Sequence, residues 1–298
     1  MQFAAFKHAI ERSYKDLIRH HTFQVSAALS YWFVLSVFPG LIVLSALLGF
    51  LPFPDLFNQV LNLMARLLPA DSMRIVNSVL GDVLSSHHGT WFSFGLVGTI
   101  WTASSGFDAM IEALSIAYEV EDDRPYWKTR LLAIGLAAIT GGLLLVAMIV
   151  TIVGPHFGFW LADHLSLSST FAMLWPVLRW TIAIVFTILA VEVLYYLAPN
   201  VKQRFAATLP GAVLSVGVWN VLTLLLGVYF RHFAHFNRTY GAIGGLIAMM
   251  VWLYWTSWIL LVGAEINGEL GKERRKSSGV SPDPELEAHH QIADQNAA

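Results

Sequence analysis

Residues 240–267, YGAIGGLIAMMVWLYWTSWILLVGAEIN, form a nearly unbroken apolar run. A helix needs about 20 such residues to cross the hydrocarbon core of a bilayer. Only helices and closed barrels satisfy their backbone polar groups there, and a run without period-two alternation reads as helix. Comparable runs lie at 23–51, 91–118, 131–153, 174–197 and 207–230, and the sixth is taken as 241–270. The fold class that follows is all-α, a polytopic membrane helical bundle with six transmembrane helices plus amphipathic interfacial helices. Composition agrees, at 56% hydrophobic and 13% charged residues and a mean hydropathy of +0.60, more apolar than a soluble domain.

The segments between the runs set domain organisation and orientation. Phe3, Phe6, Ile10, Tyr14 and Leu17 recur every three or four residues with Lys7, Arg12, Lys15 and Arg19 among them. Residues 1–22 therefore read as a basic amphipathic helix on the cytoplasmic interface, and the run that follows is too long for a cleavable signal peptide. Pro39 should kink the first span, because proline removes a backbone donor. Residues 55–86 carry two amphipathic stripes separated by Pro69 and are expected to form a periplasmic hairpin within the 23–270 membrane domain. Lys and Arg gather in the N-terminal segment, at Arg124, Lys128 and Arg130, at Lys202 and Arg204, and in the tail, so the positive-inside rule places both termini in the cytoplasm. The tail, 271–298, is rich in Ser, Pro, Glu, His and Gln and reads as disordered.

Several segments taken together resemble the YihY/BrkB family of bacterial inner-membrane proteins. They are QVSAALSYWFVLSVFP, WTASSGFDAMIEALSIAYEVEDDRPYWKTRLLA, LYYLAPNVKQRFAATLPGAVLSVGVWN, YGAIGG and GAEIN, in that order between about residues 23 and 270. The resemblance implies a six-helix protein of the bacterial inner membrane, from a family that once carried a ribonuclease BN label.

Polar residues inside the runs are the candidates for function, since a charge at the bilayer centre costs about 3 kcal/mol even on insertion scales. Ser104, Asp108, Glu112, Ser115 and Glu119 fall on one side of the second span. They make either a hydrophilic path or a set of interhelical hydrogen bonds. Glu112, Glu192 and Glu265 all stand one to two turns from the cytoplasmic ends of their helices, which suggests a shared acidic layer or gate. Arg124, Lys128, Arg130, Lys202 and Arg204 flank it as possible charge partners. Arg179, near the outer end of the fourth span, either snorkels to the interface or pairs with an acid such as Asp163. On the closing run, Tyr240, Ile247, Tyr254, Trp258 and Glu265 share one face, opposite Ala242, Gly245, Thr256, Gly263 and Asn267. Gly241, Gly244, Gly245 and Asn267 are the expected helix-packing positions.

What is missing narrows the function further. The chain has no cysteine, which excludes disulfides and thiolate sites. Its histidines, among them the pair His20 and His21, form no metal-binding motif, so neither metal nor cofactor is expected. A net charge of -2 with no basic patch argues against nucleic acid as a partner. No enzyme signature is recognised, and nuclease chemistry would need accessible metal-binding acids. The expected role is a transporter or translocator of a lipid, an envelope precursor or another small amphiphile, with a non-transporting scaffold as the alternative. Partners are then the lipid bilayer and the cargo, with oligomeric state open.

Overall fold

The computed structural model describes residues 17–49, 97–164, 169–232 and 242–277. Six principal helices run through them: α1 Thr22–Gly49, α2 Ser105–Ala117, α3 Tyr126–His164, α4 Ser169–Leu197, α5 Phe205–His232 and α6 Ala242–Ser277. No strand occurs among the described residues, so the architecture is all-helical there. The amphipathic hairpin expected at 55–86, Gly241, residues 1–16 and residues 278–298 lie outside the described residues.

Four stretches are long and apolar enough to cross a bilayer: Tyr126–Pro155, Leu174–Leu197, Phe205–Tyr229 and Leu246–Arg274. Their outward faces are apolar as well, with Val221, Leu224, Leu225 and Val228 of α5 each more than half exposed. Such a contiguous patch belongs against lipid rather than water. In the region of the second run the chain turns at Ser104 and restarts as α2, only 13 residues long. At 1.5 Å per residue α2 covers about 20 Å, short of the ~30 Å core. The Ser104-Ser105-Gly106 sequence explains the break, because serines hydrogen-bond to nearby backbone in competition with the helix. Ser104 Oγ does so, donating to Trp101 O at 2.9 Å.

Each helix packs on the next in sequence and α6 returns to α1, closing a ring; α2 touches α6 as well. Short α2 thus supplies much of the core, through Met110, Ile111, Leu114 and Ala117, packed with Leu29, Leu136, Tyr195 and Leu261. Gly106 lets α1 approach it: a Cβ there would stand 2.8 Å from the Phe33 ring. Ser36 Oγ accepts the Gly106 N–H at 2.8 Å.

Helices α5 and α6 come within backbone contact of each other. A Cβ on Gly211 would collide with the Gly263 carbonyl oxygen, and one on Gly263 would collide with Ser215 Oγ and stand 2.6 Å from the Tyr195 hydroxyl. Tyr195 fills the junction of α4, α5 and α6, donating to Leu260 O at 2.6 Å, with Ser215 Oγ 2.8 Å away. Gly244 and Gly245 lie in the first turn of α6. Helix α6 also continues through Lys272 to Ser277, residues whose composition reads as disordered tail. Lys272 is held there by two carboxylates, Glu119 and Glu269.

Gly211→Ala should lower stability by about 1–3 kcal/mol, the usual effect of forcing a methyl against unyielding backbone. Gly217→Ala, where a Cβ meets nothing within 4 Å, should change it little. Thermal unfolding of both variants in detergent checks this, and equal melting temperatures would contradict the packing described.

Candidate functional site

Helix α2 ends in a way that places an acid. Tyr118 is its C-cap, and Glu119 follows with φ 53°, in the left-handed region. The Glu119 N–H donates to Ile116 O and the Val120 N–H to Ser115 O, at 3.0 and 2.9 Å. These two bonds define a Schellman motif, whose left-handed position usually holds glycine. A side chain there costs about 1–2 kcal/mol. The second non-glycine residue with positive φ among the described residues is His21, at 50°, beside His20 in the turn entering α1.

Both strained positions serve one cluster. His20 Nδ1 stands 2.7 Å from Glu265 Oε1 of α6, and His20 Nε2 stands 3.5 Å from Glu119 Oε1. Lys272 Nζ lies 2.8 Å from Glu119 Oε2 and 2.7 Å from Glu269 Oε1. Glu265 is 3% exposed and His20 13%, so these charges are largely removed from solvent. Contacts with Glu119 and Glu265 push the His20 pKa up to about 9 against the opposing effect of burial. At neutral pH His20 is therefore an imidazolium joining two carboxylates from different elements. A small hollow lined by His20, Thr22, Ala113, Ile116, Leu261 and Glu265 opens beside it.

A second polar group lies on the opposite side of α6. Asn267 Nδ2 donates to Thr208 O at 2.7 Å, and Asn267 Oδ1 accepts the Gly211 N–H at 2.9 Å. One amide thus engages the first turns of α5 with both ends. Next to it Glu192 of α4 is fully buried, with Thr208 Oγ1 2.5 Å from its Oε1.

A third group joins α2 to α3. Buried Arg130 reaches Asp108 Oδ2 at 3.3 Å and donates to Ser105 Oγ at 3.0 Å and to Trp101 O. Its guanidinium carbon also lies 4.3 Å from the centre of the Trp101 ring. Arg124 pairs with Asp122 at 2.6 Å and donates to Ala198 O at 2.7 Å, tying the loop after α2 to the loop after α4. The Arg124 guanidinium holds the Asp122 carboxyl below its ordinary range.

The polar stripe of the second run is therefore divided among separate environments. Ser104 is buried, Asp108 meets Arg130, and Ser115 Oγ donates to Ile111 O at 2.8 Å. Glu112 is exposed, while Glu119 is the acid brought to Glu265. Lys128 is exposed with its ammonium 5.5 Å from the Trp127 ring centre, and Lys202 and Arg204 are exposed. Arg179 donates to Thr151 O at 3.1 Å. Its stem lies on Gly154, and the side chain of Asp163 falls outside the described residues.

Sequence reasoning gives His20, Lys272, Gly211 and Tyr195 no part in a site. Nothing periodic marks His20, which precedes the first apolar run, and its partner Glu265 stands 245 positions away. The available signal was chemical: a histidine at the mouth of a membrane helix bundle that also carries intramembrane acids.

A family model described as virulence factor BrkB matches residues 13–287. The chain is also 33% identical over 250 residues to a protein of Bacillus subtilis (strain 168) described as ribonuclease-like, YfkH; the match covers 84% of this chain and 90% of that protein. No solved structure matches the chain.

The cluster carries a pH signature. His20 has its pKa raised on folding, from 6.5 to about 9. Its stabilising contribution is therefore fully present below 6.5 and is lost as pH rises through about 9. Melting temperature in detergent should fall across that window more steeply for the wild type than for His20→Gln. Parallel profiles would contradict the ion-pair assignment.

Proposed function

The chain belongs to the virulence factor BrkB family, and from this membership and its apolar helices we propose an integral inner-membrane protein that translocates a lipid, an envelope precursor or another small amphiphile. On this reading six helices cross the membrane, α1 and the region of α2 joining the four long apolar stretches, and both termini are cytoplasmic. The orientation is supported by the gathering of basic residues at one end of the bundle. Arg124 reaches Ala198, Lys272 reaches Glu119, and Arg274 reaches Ala207. Cytoplasmic loops carry such an excess of Lys and Arg.

The observation that carries the proposal is the His20–Glu119–Glu265 cluster beside its hollow. Buried ion pairs contribute little net stability compared with apolar packing. Backbone strain concentrates where structure serves function, and here both strained residues attend the cluster. A link between α1, α2 and α6 made of ion pairs can exchange partners as helices shift, as a gate requires. Asp108 with Arg130, and Glu192 with Thr208, are further polar contacts between neighbouring helices.

The scaffold alternative draws on a different observation, the dense interhelical hydrogen bonding of Asn267 and Tyr195, which suits a fixed assembly. We also take the protein to be non-enzymatic, with no nucleic-acid partner. The ribonuclease-like description of the Bacillus subtilis relative is not extended to this chain, because Asp108, Glu119 and Glu265 are engaged by its own cations. Purified protein should leave RNA intact; hydrolysis that disappears in Glu112→Ala would overturn this.

Reconstitution into liposomes with a fluorescent phospholipid tests translocation. Glu265→Gln removes a charge-assisted contact worth about 1.5–3 kcal/mol. Translocation should slow about tenfold or more at unchanged membrane abundance. Lost abundance, or no translocation by the wild type across a broad panel of lipids and solutes, would favour the scaffold.

A further inference from the structure

Among the described residues, Glu192 differs from the other buried acids, Glu265 and Glu269, in having no cation. Among the described residues no Lys, Arg or His forms an ion pair with it. The titratable and polar groups around it are Tyr118 at the end of α2, Tyr195 on its own helix, Thr208 of α5 and Asn267 of α6. The tyrosines are neutral phenols at neutral pH, and the Asn267 amide is already committed to Thr208 O and the Gly211 N–H. An unpaired carboxylate withdrawn this far from water is costly enough that the group takes up a proton instead.

Proton counting around Thr208 leads to the same place. Thr208 Oγ1 stands 2.5 Å from Glu192 Oε1 and 2.8 Å from Phe205 O. A hydroxyl has one proton, and a carbonyl or an ionised carboxylate can only accept. With Glu192 ionised, that proton fills one of the two approaches and the other is left lone pair against lone pair. With a proton on Glu192 both are filled: the carboxyl donates to Thr208 Oγ1, and the hydroxyl donates to Phe205 O, the local bond helical threonines commonly make. Glu192 Oε2, which has no hydrogen-bond partner among the described residues, is then the carbonyl oxygen of a neutral acid, far cheaper to leave bare than half a charge.

We infer that Glu192 is a proton-binding site, carrying an exchangeable proton at neutral pH that it donates to Thr208. Resting on the translocator reading, this is also where proton movement is linked to cargo movement. Release of the proton to water leaves a carboxylate that takes the Thr208 hydroxyl bond, so that Thr208 lets go of Phe205 O. The contact between α4 and the first turn of α5 thereby senses whether the site is loaded.

Infrared spectra of the protein in lipid nanodiscs at neutral pH test the proton directly. A protonated-carboxyl C=O stretch that shifts in D2O and is missing from Glu192→Gln is expected. An identical band in wild type and variant would overturn the site. The glutamine amide donates to Thr208 as a neutral carboxyl does, so the variant should keep its abundance and melting temperature; failure to fold would also overturn it. In proteoliposomes with fluorescent phospholipid, an imposed pH gradient should change the wild-type rate several-fold and leave Glu192→Gln indifferent. Wild-type translocation that ignores the gradient would overturn the coupling. A wild type that moves no lipid would sink the translocator reading and the coupling together, while the infrared band still decides the proton site.

Discussion

A polar side chain carried into hydrocarbon must find its partner inside the protein, because no water is at hand to replace one. That constraint accounts for much of how these helices meet. Asn267 can engage the backbone of α5 only because Gly211 and Gly263 let α5 and α6 come within backbone contact. Tyr195 can be wholly buried only because its hydroxyl donates to Leu260 O and has Ser215 Oγ as a second hydrogen-bonding neighbour. Arg130 is tolerated between α2 and α3 because Asp108, Ser105 and Trp101 share its guanidinium. The helices meet through these side chains as much as through their apolar surfaces, which lipid would solvate equally well.

The His20 cluster obeys the same constraint with charges. It joins the turn before α1, the end of α2 and the last third of α6, three elements brought together by tertiary packing alone. Strain at His21 and Glu119 opposes this arrangement, and the ion pairs over-determine it. Lys272 extends the network along α6 and keeps that helix wound through positions whose composition favours disorder. A network of this kind resists loosening but has more than one way to pair.

The helices themselves were legible in the sequence, because runs of about 20 apolar residues have few other solutions. Helix α3 begins at Tyr126 and ends at His164, beyond the expected 131–153 at both ends, since hydropathy marks the lipid-facing length and not the helix. Apolar content does not mark the break at Ser104. Glu119 was visible on the polar stripe, yet a helical wheel cannot show that the chain leaves the helix at Tyr118 and turns left-handed there. Glu112 fits the wheel and is exposed. Spacing alone puts Asn267 and Gly263 on one small face, whereas their partner Gly211 lies on another helix and carries no mark beyond being glycine. Contacts such as His20 with Glu265 depend on how distant segments close the ring, which periodicity does not encode.

His20 and Glu265 act on each other directly, and this contact holds α1 to α6. A double-mutant cycle with His20→Ala, Glu265→Ala and the pair, read by unfolding in detergent near neutral pH, measures that energy without reference to any cargo. A coupling of about 1 kcal/mol or more between the two sites is expected, as for residues sharing one ion-pair network. Additive effects, with no coupling beyond error, would contradict it.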